Sequence, residues 1–136
     1  MTLSISEKTL NIIRKMQKNE MTESVIYKKI AKFAKGQENK ETLLRLASEE
    51  EAHAKIWKSY TNEDVKPNKF KIFKYTWIAR LFGFTFAVKL MENGELDAQK
   101  EYASIAEEVP EMHLQEEFFI LLIRTQTMLK KLCNTV

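Results

Sequence analysis

The chain contains few of the residues that interrupt helices and almost no cysteine. Its 136 residues include three Gly, two Pro and one Cys, at Cys133. A single cysteine cannot form a disulfide within the chain, nor can it supply the paired cysteines of a zinc ribbon or a rubredoxin iron site. Because Gly and Pro are the strongest helix breakers, their scarcity predicts long helices.

The chain also lacks a strong net charge and a long apolar run. Its formal charge is +3, and basic and acidic residues are interleaved, so we expect no nucleic-acid partner. The start has no basic segment followed by an apolar one, so we expect no signal peptide. The most aromatic stretch, residues 70–86, contains Lys71, Lys74 and Arg80 and should not span a membrane. We therefore expect a cytoplasmic protein, with attachment to a membrane surface left open.

Apolar residues recur with a helical period and predict four helices, at residues 5–35, 40–60, 84–108 and 112–132. Ser4 and Glu7 are expected to form a capping box at the first helix start. Gly36 should end that helix and Asn39 should cap the second. The polar residues 61–68 predict a loop. A chain of this length fits one domain, residues 1–136.

The aromatic residues 70–86 lie between the second and third predicted helices. We predict a crossover segment, partly helical, that packs over the other helices. A dimer surface and an amphipathic face resting on an anionic membrane are the alternatives. Gly83 is expected to mark a bend or a close approach.

The second helix carries a carboxylate and an imidazole on its apolar face. Glu50 and His53 lie three residues apart and therefore on one side of a helix. The rest of that side is mostly apolar: Leu43, Leu46, Ala47, Ala54, Trp57 and Tyr60. A buried charge costs several kcal/mol unless it is paired or bound to metal. Glu-x-x-His on a bundle helix is used by di-iron carboxylate proteins. The alternative is a solvated acidic turn with a partly buried histidine.

Two other apolar faces also carry an acid. Glu20 lies on the first helix between Ile13 and Tyr27, and Glu95 follows Leu81, Phe84, Val88 and Met91 on the third, with Glu92 one turn earlier. Two segments repeat the pattern Glu, six residues, Tyr, two residues, Ile-Ala at an offset of 75 residues: Glu20, Tyr27, Ile30 and Ala31, then Glu95, Tyr102, Ile105 and Ala106. A repeated helix pair predicts a four-helix bundle with Glu20, Glu50, His53 and Glu95 at its centre.

Metal binding explains this central cluster better than a purely structural role does. The structural alternative makes each tyrosine a core aromatic and each acid a satisfied buried group. Three acids facing one another would repel and oppose folding. A divalent or trivalent metal ion would convert that repulsion into binding energy. We therefore predict a metal site.

The order of these motifs resembles the rubrerythrin branch of the ferritin-like di-iron carboxylate superfamily. In detail the chain is similar to the ferritin-like domain found beside vacuolar-iron-transporter-type membrane domains. The matching segments are residues 19–28 (Asn-Glu-Met-Thr-Glu-Ser-Val-Ile-Tyr-Lys), 50–57 (Glu-Glu-Ala-His-Ala-Lys-Ile-Trp), 83–86 (Gly-Phe-Thr-Phe) and 89–95 (Lys-Leu-Met-Glu-Asn-Gly-Glu). The resemblance covers roughly residues 10–110 and implies an all-α, ferritin-like four-helix bundle with a long crossover between helices two and three.

The resemblance implies a role for each matched residue. Glu20 and His53 would be terminal metal ligands, and Glu50 would bridge two metal ions. Glu95 would be the matching ligand from the third helix, and Glu92 an alternate one. The hydroxyls of two tyrosines would bond to ligand carboxylates and fix their orientation: these are Tyr27 and Tyr102.

The last helix departs from the family pattern, which expects a second Glu-x-x-His there. Glu116 is followed three residues later by Phe119, and Glu117 by Ile120. Either Glu116 or Glu117 is recruited by a shift of this atypical helix, or the site lacks its fourth helical carboxylate.

The resemblance implies an iron-binding protein that oxidises or handles Fe(II) at a carboxylate-bridged di-iron site. Mn or Zn would also fit carboxylate and imidazole ligands. The expected activity is that of a ferroxidase or a rubrerythrin-like peroxidase, with O₂ or peroxide as the oxidant. The alternative is a non-catalytic metal-binding or docking module with a degenerate site. A homodimer is expected, and residues 69–86 are the candidate contact with a membrane surface or a transporter.

Overall fold

The computed structural model describes residues 5–91 and 93. Three helices follow one another: α1 (Glu7–Ala31), α2 (Gln37–Thr61) and α3 (Lys69–Phe82). A fourth helix, α4, is described over residues 84–91. These described ranges contain no strand, which confirms the all-α fold class. The predictions for residue 92 and for residues 94–136, including the last helix, lie outside the described residues.

The caps of the first two helices differ from the prediction. The Ser6 hydroxyl accepts a hydrogen bond from the Thr9 backbone N–H at 3.2 Å and caps α1, which begins at Glu7. The prediction for Ser4 lies outside the described residues. Gly36 sits at the start of α2 with φ of 89°, a conformation that favours glycine. The prediction for Asn39 is wrong, because its side-chain amide donates to the Lys35 carbonyl at 3.0 Å within the connection.

The apolar faces predicted for α1 and α2 form an antiparallel helix pair. On α2 the buried residues are those the sequence predicted, except that Tyr60 is only half-buried: Leu43, Leu46, Ala47, Glu50, His53, Ala54 and Trp57. On α1 the buried members of the predicted face are Ile13, Met16, Glu20, Tyr27 and Ile30. The two helices therefore bury two carboxylates and one imidazole, those of Glu20, Glu50 and His53, among apolar side chains.

Three hydrogen bonds, two partly buried and one buried, fix how α1 and α2 align. The Gln17 amide donates to the Glu63 carbonyl at 2.7 Å, and the Thr61 hydroxyl donates to the Gln17 Oε1 at 2.7 Å. On the other side of Glu20, the Ser24 hydroxyl donates to the Ala47 carbonyl at 2.9 Å. Because side-chain to backbone bonds tolerate little sliding, these contacts hold Glu20 opposite the centre of α2.

Gln17→Ala is expected to lower the free energy of unfolding by about 1–3 kcal/mol, because it breaks two partly buried hydrogen bonds, to the Thr61 hydroxyl and the Glu63 carbonyl. Chemical denaturation measures this loss. Gln37→Ala is the matched control, since Gln37 is exposed and bonds only to Glu41 among the contacts described. Its expected change is within about 0.5 kcal/mol. Equal losses in both variants would contradict the assigned role of Gln17.

The aromatic segment forms α3, which packs on α1 and runs parallel to it. Asn68 caps α3 by accepting a hydrogen bond from the Lys71 N–H, and its own N–H donates to the Thr22 hydroxyl at 2.9 Å. Near the other end, the Arg80 guanidinium lies over the Phe33 ring at 5.1 Å. The segment is therefore helical over Lys69–Phe82 and packs on α1.

Gly83 separates α3 from α4. Its φ is 93°, a conformation that favours glycine, so Gly83 allows the chain to bend here. A Cβ at this position would meet nothing within 4 Å, so no close approach requires the glycine. After the bend, Ala87, Val88 and Met91 join the buried core of α1 and α2. The prediction that Leu81 shares their buried face is wrong, because Leu81 belongs to α3 and is 68% exposed.

Within residues 5–91 and 93, no helix combines the length and the apolar character needed to cross a bilayer.

Candidate metal centre

Glu20 of α1 meets Glu50 and His53 of α2 in the interior of the helix pair. Their exposed fractions are 5%, 1% and 3%. Each residue offers one possible ligand atom, and these atoms all lie within 4.8 Å of one another. Glu50 and His53 converge because they lie on adjacent turns of one helix face. Glu20 joins them through the alignment that Gln17 and Ser24 fix.

The His53 ring lies between carboxylates. Its Nδ1 is 3.5 Å from the Glu20 Oε2 and 3.5 Å from the Glu50 Oε2, while its Nε2 is 3.9 Å from the Glu49 Oε2. These separations exceed the usual N–H···O hydrogen-bond distance. Both carboxylate oxygens of Glu50 are buried and form no hydrogen bond with any described residue. Buried carboxylate oxygens normally have partners, so the site has unused capacity to bind a cation.

The spacing of the three groups suits a metal ion. Carboxylate and imidazole ligands stand about 2.0–2.2 Å from a first-row metal, which places neighbouring ligand atoms about 3–4 Å apart. The observed separations of 3.5 Å fall within that range. Two carboxylates with one imidazole form a hard-to-borderline donor set that suits Fe(II), Mn(II) or Zn(II). The residues present therefore fit the metal that the sequence predicted.

A tyrosine of α3 lies near the acidic side of α1. Burial raises the pKa of the Tyr75 phenol, and the carboxylate of Glu23 raises it further. Glu23 is one helical turn beyond Glu20, and it was not assigned a role from the sequence. The charge of Glu23 on α1 therefore acts on Tyr75 of α3 beside the site.

Tyr75 is expected to make the fold sensitive to alkaline pH. Because the folded state raises the pKa of this phenol, its contribution to stability is present below the ordinary tyrosine pKa of about 10 and is lost as the pH rises from there through the raised pKa of the folded state. Tyr75→Phe should therefore lose less unfolding free energy between neutral and alkaline pH than the parent chain. Denaturant titrations at the two pH values measure the difference, and equal losses would contradict this assignment.

The remaining predicted site residues divide into two groups. Tyr27 is fully buried on α1, seven residues after Glu20. The other predicted ligands and the second tyrosine lie outside the described residues: Glu92, Glu95, Tyr102, Glu116 and Glu117. The structure therefore brings together the three predicted ligands that belong to α1 and α2.

Sequence analysis missed three residues that surround the site. Glu49 approaches His53 from the preceding turn, and Gln17 and Ser24 hold Glu20 in place. The spacing of these residues could have indicated Gln17 and Ser24, since Gln17, Glu20 and Ser24 lie at intervals of three and four residues on one face of α1. The spacing identifies a row of polar side chains but not the backbone carbonyls to which they bond.

Comparison with known proteins adds nothing to this geometry. No family model, no curated protein and no solved structure matches the chain. The buried residues themselves are therefore the basis for inferring a function.

Proposed function

We propose that the chain is a ferritin-like protein that binds iron between α1 and α2 and handles or oxidises Fe(II). One observation carries the proposal: Glu20, Glu50 and His53 are buried together with their ligand atoms within 4.8 Å. Such a cluster opposes folding unless a cation or a proton compensates its charge. Because a metal ion satisfies both carboxylates and the imidazole at once, it is the better compensating group.

An ion pair alone explains the cluster less well. A protonated His53 could compensate one carboxylate, yet two carboxylates lie at the same 3.5 Å from its Nδ1. The Glu50 oxygens would still keep no hydrogen-bond partner among the described residues. A bound cation would satisfy them.

Glu20, Glu50 and His53 would have different roles as metal ligands. Glu50, with two buried oxygens, has the capacity to contact two ions, whereas Glu20 and His53 would each hold one. Bound iron supplies the electron that O₂ or peroxide removes when Fe(II) becomes Fe(III). A second ion would need further ligands, for which Glu95 and Glu92 remain the candidates proposed from the sequence. The all-α bundle and a long crossover through α3 belong to the same proposal.

A non-catalytic metal-binding protein is the second candidate. The observation that favours it is that the described ligand set has only three side chains, which is enough for one ion. A single ion held by three residues and water would bind metal without pairing two irons. The two candidates differ in metal stoichiometry and in oxygen consumption.

The test is an anaerobic Fe²⁺ titration of the purified apoprotein, followed by exposure to air. Two irons per chain, with oxidation faster than in buffer, would support the Fe(II)-oxidising function. One iron per chain without faster oxidation would support the binding protein. No iron binding above that of a Glu50→Gln variant would overturn both. Glu41→Gln is the control, because Glu41 is exposed on the same helix.

A further inference from the structure

One face of α3 is buried against the core, and the opposite face is exposed and apolar. Ile72 and Ala79 are buried against the core, and Tyr75 is partly buried beside them. With about 3.6 residues per turn, an exposed apolar stripe runs along the other side of the helix. Its members are Phe70, Phe73, Trp77 and Leu81, which are 74%, 64%, 48% and 68% exposed. Most large apolar side chains with this exposure occur singly, so a continuous stripe indicates a contact surface.

Cations flank the stripe on both sides. At about 100° per residue, Lys69 and Arg80 lie along one edge of the stripe, and Lys71 and Lys74 lie along the other. α3 contains no acidic residue. An exposed helix with an apolar ridge between two rows of positive charge has the pattern of helices that lie in a lipid interface.

A basic groove adjoins this stripe. It lies between α1 and α3, has a volume of about 640 Å³, and is lined by Phe73 and Trp77 together with three cations: Lys29, Lys69 and Arg80. No acidic side chain lines it. The groove therefore offers positive charge beside aromatic rings, which suits an anionic headgroup with its acyl chains alongside.

We propose that α3 docks the chain on an anionic lipid surface, with the apolar stripe inserted at the headgroup level and the flanking cations contacting lipid phosphates. α3 is 14 residues long, or about 21 Å, so it would lie along the surface. Phe82 and Phe86, whose ring centroids are 5.6 Å apart, extend the exposed apolar surface beyond Gly83. This inference is independent of metal binding.

A second copy of the chain is a less suitable occupant. A symmetric dimer would place the same face of α3 on both sides of the interface. The cations beside the stripe would then face their own copies without an acid from α3 to pair with them. An anionic bilayer instead supplies the complementary charge along the whole helix.

The test is flotation of the whole chain with phosphatidylcholine vesicles, with or without about one quarter phosphatidylglycerol, at low salt where the charges are weakly screened. We expect flotation with the anionic vesicles alone and its loss at high salt. Phe73→Ser with Trp77→Ser, and separately Lys71→Glu with Lys74→Glu, should each lower partitioning about tenfold or more. The matched controls on α2, Leu44→Ser and Lys55→Glu, replace an exposed apolar residue and an exposed lysine and should bind like the parent.

Tryptophan fluorescence gives a second readout. Trp77 is half exposed whereas Trp57 is 1% exposed, so insertion should shift the Trp77 emission to shorter wavelength. Trp77→Phe should lose that shift and still float, because the ring remains apolar. No flotation of the parent chain at low salt would overturn the proposal, as would equal binding to neutral vesicles. A parent dimer that the stripe substitutions dissociate, without flotation, would assign the stripe to a second copy instead.

Discussion

Replacing Glu50 by Met should weaken metal binding strongly and leave the apoprotein at least as stable as the parent chain. Glu50 is 1% exposed, and neither of its carboxylate oxygens bonds to a described residue. Removing it deletes a ligand and also a costly buried charge, so the metal dissociation constant should rise about a hundredfold or more. The free energy of unfolding without metal should rise by about 1 kcal/mol or more.

A metal ligand and a structural acid differ in what their removal does. Loss of a ligand weakens metal binding while the apoprotein keeps or gains stability, whereas loss of a structural acid lowers the stability of the apoprotein. If Glu50 served as the ion-pair partner of His53, its removal would destabilise the apoprotein by about 3–5 kcal/mol, since a buried charge would lose its partner. Calorimetric titration with Fe²⁺ under nitrogen and denaturation in chelator supply the two values. Glu41→Met on the exposed side of α2 controls for the substitution itself. Strong destabilisation with unchanged metal affinity would remove Glu50 from the site.

Metal saturation should raise the melting temperature of the parent chain by about 10 °C, and a chelator should reverse the gain. A ligand at a hundred times its dissociation constant adds about 2.7 kcal/mol to a state that it alone binds. For a chain of this size that energy corresponds to roughly this temperature shift. The shift should occur with Fe²⁺ under nitrogen and with Mn²⁺ or Zn²⁺, because the donor set accepts each of them.

The same shift should be nearly lost in His53→Gln. His53 is 3% exposed and supplies the only nitrogen donor of the cluster. Gln at this position keeps a polar side chain of similar reach but no imidazole. A thermal scan with and without metal compares the two chains at equal protein concentration. A metal-induced shift as large in His53→Gln as in the parent would place the metal elsewhere.

The buried face of α2 was predictable from the sequence because a helix repeats every 3.6 residues or so. Leu43, Leu46, Glu50, His53 and Trp57 are all buried on that face. The acid and the imidazole were conspicuous there because their neighbours are apolar. Periodicity alone therefore identified which residues of α2 enter the core.

The ends of helices and the alignment between them were not predictable in the same way. The sequence pattern predicted a first helix from residue 5, whereas α1 begins at Glu7 and Ser6 caps it. Leu81 continues an apolar period in the sequence, but the bend at Gly83 directs α4 away and leaves Leu81 exposed. Such outcomes depend on backbone turns, which the side-chain pattern does not record.

The meeting of Glu20 with Glu50 and His53 depends on contacts that no local pattern encodes. Gln17 bonds to a carbonyl 46 residues later, and Ser24 to one 23 residues later. The sequence showed that each acid lies on an apolar face, whereas the distance between them required the folded helix pair. The repeat of Glu20 and Tyr27 at Glu95 and Tyr102 remains a prediction.

Anomalous X-ray diffraction from crystals loaded with Fe²⁺ under nitrogen tests the central claim most directly. The account predicts an iron peak in the interior of the α1–α2 pair, about 2.0–2.2 Å from an oxygen of Glu20, an oxygen of Glu50 and a ring nitrogen of His53. Crystals of Glu50→Met should lack that peak under the same loading. Iron bound only at the protein surface, with the three side chains unchanged and uncoordinated, would contradict the account.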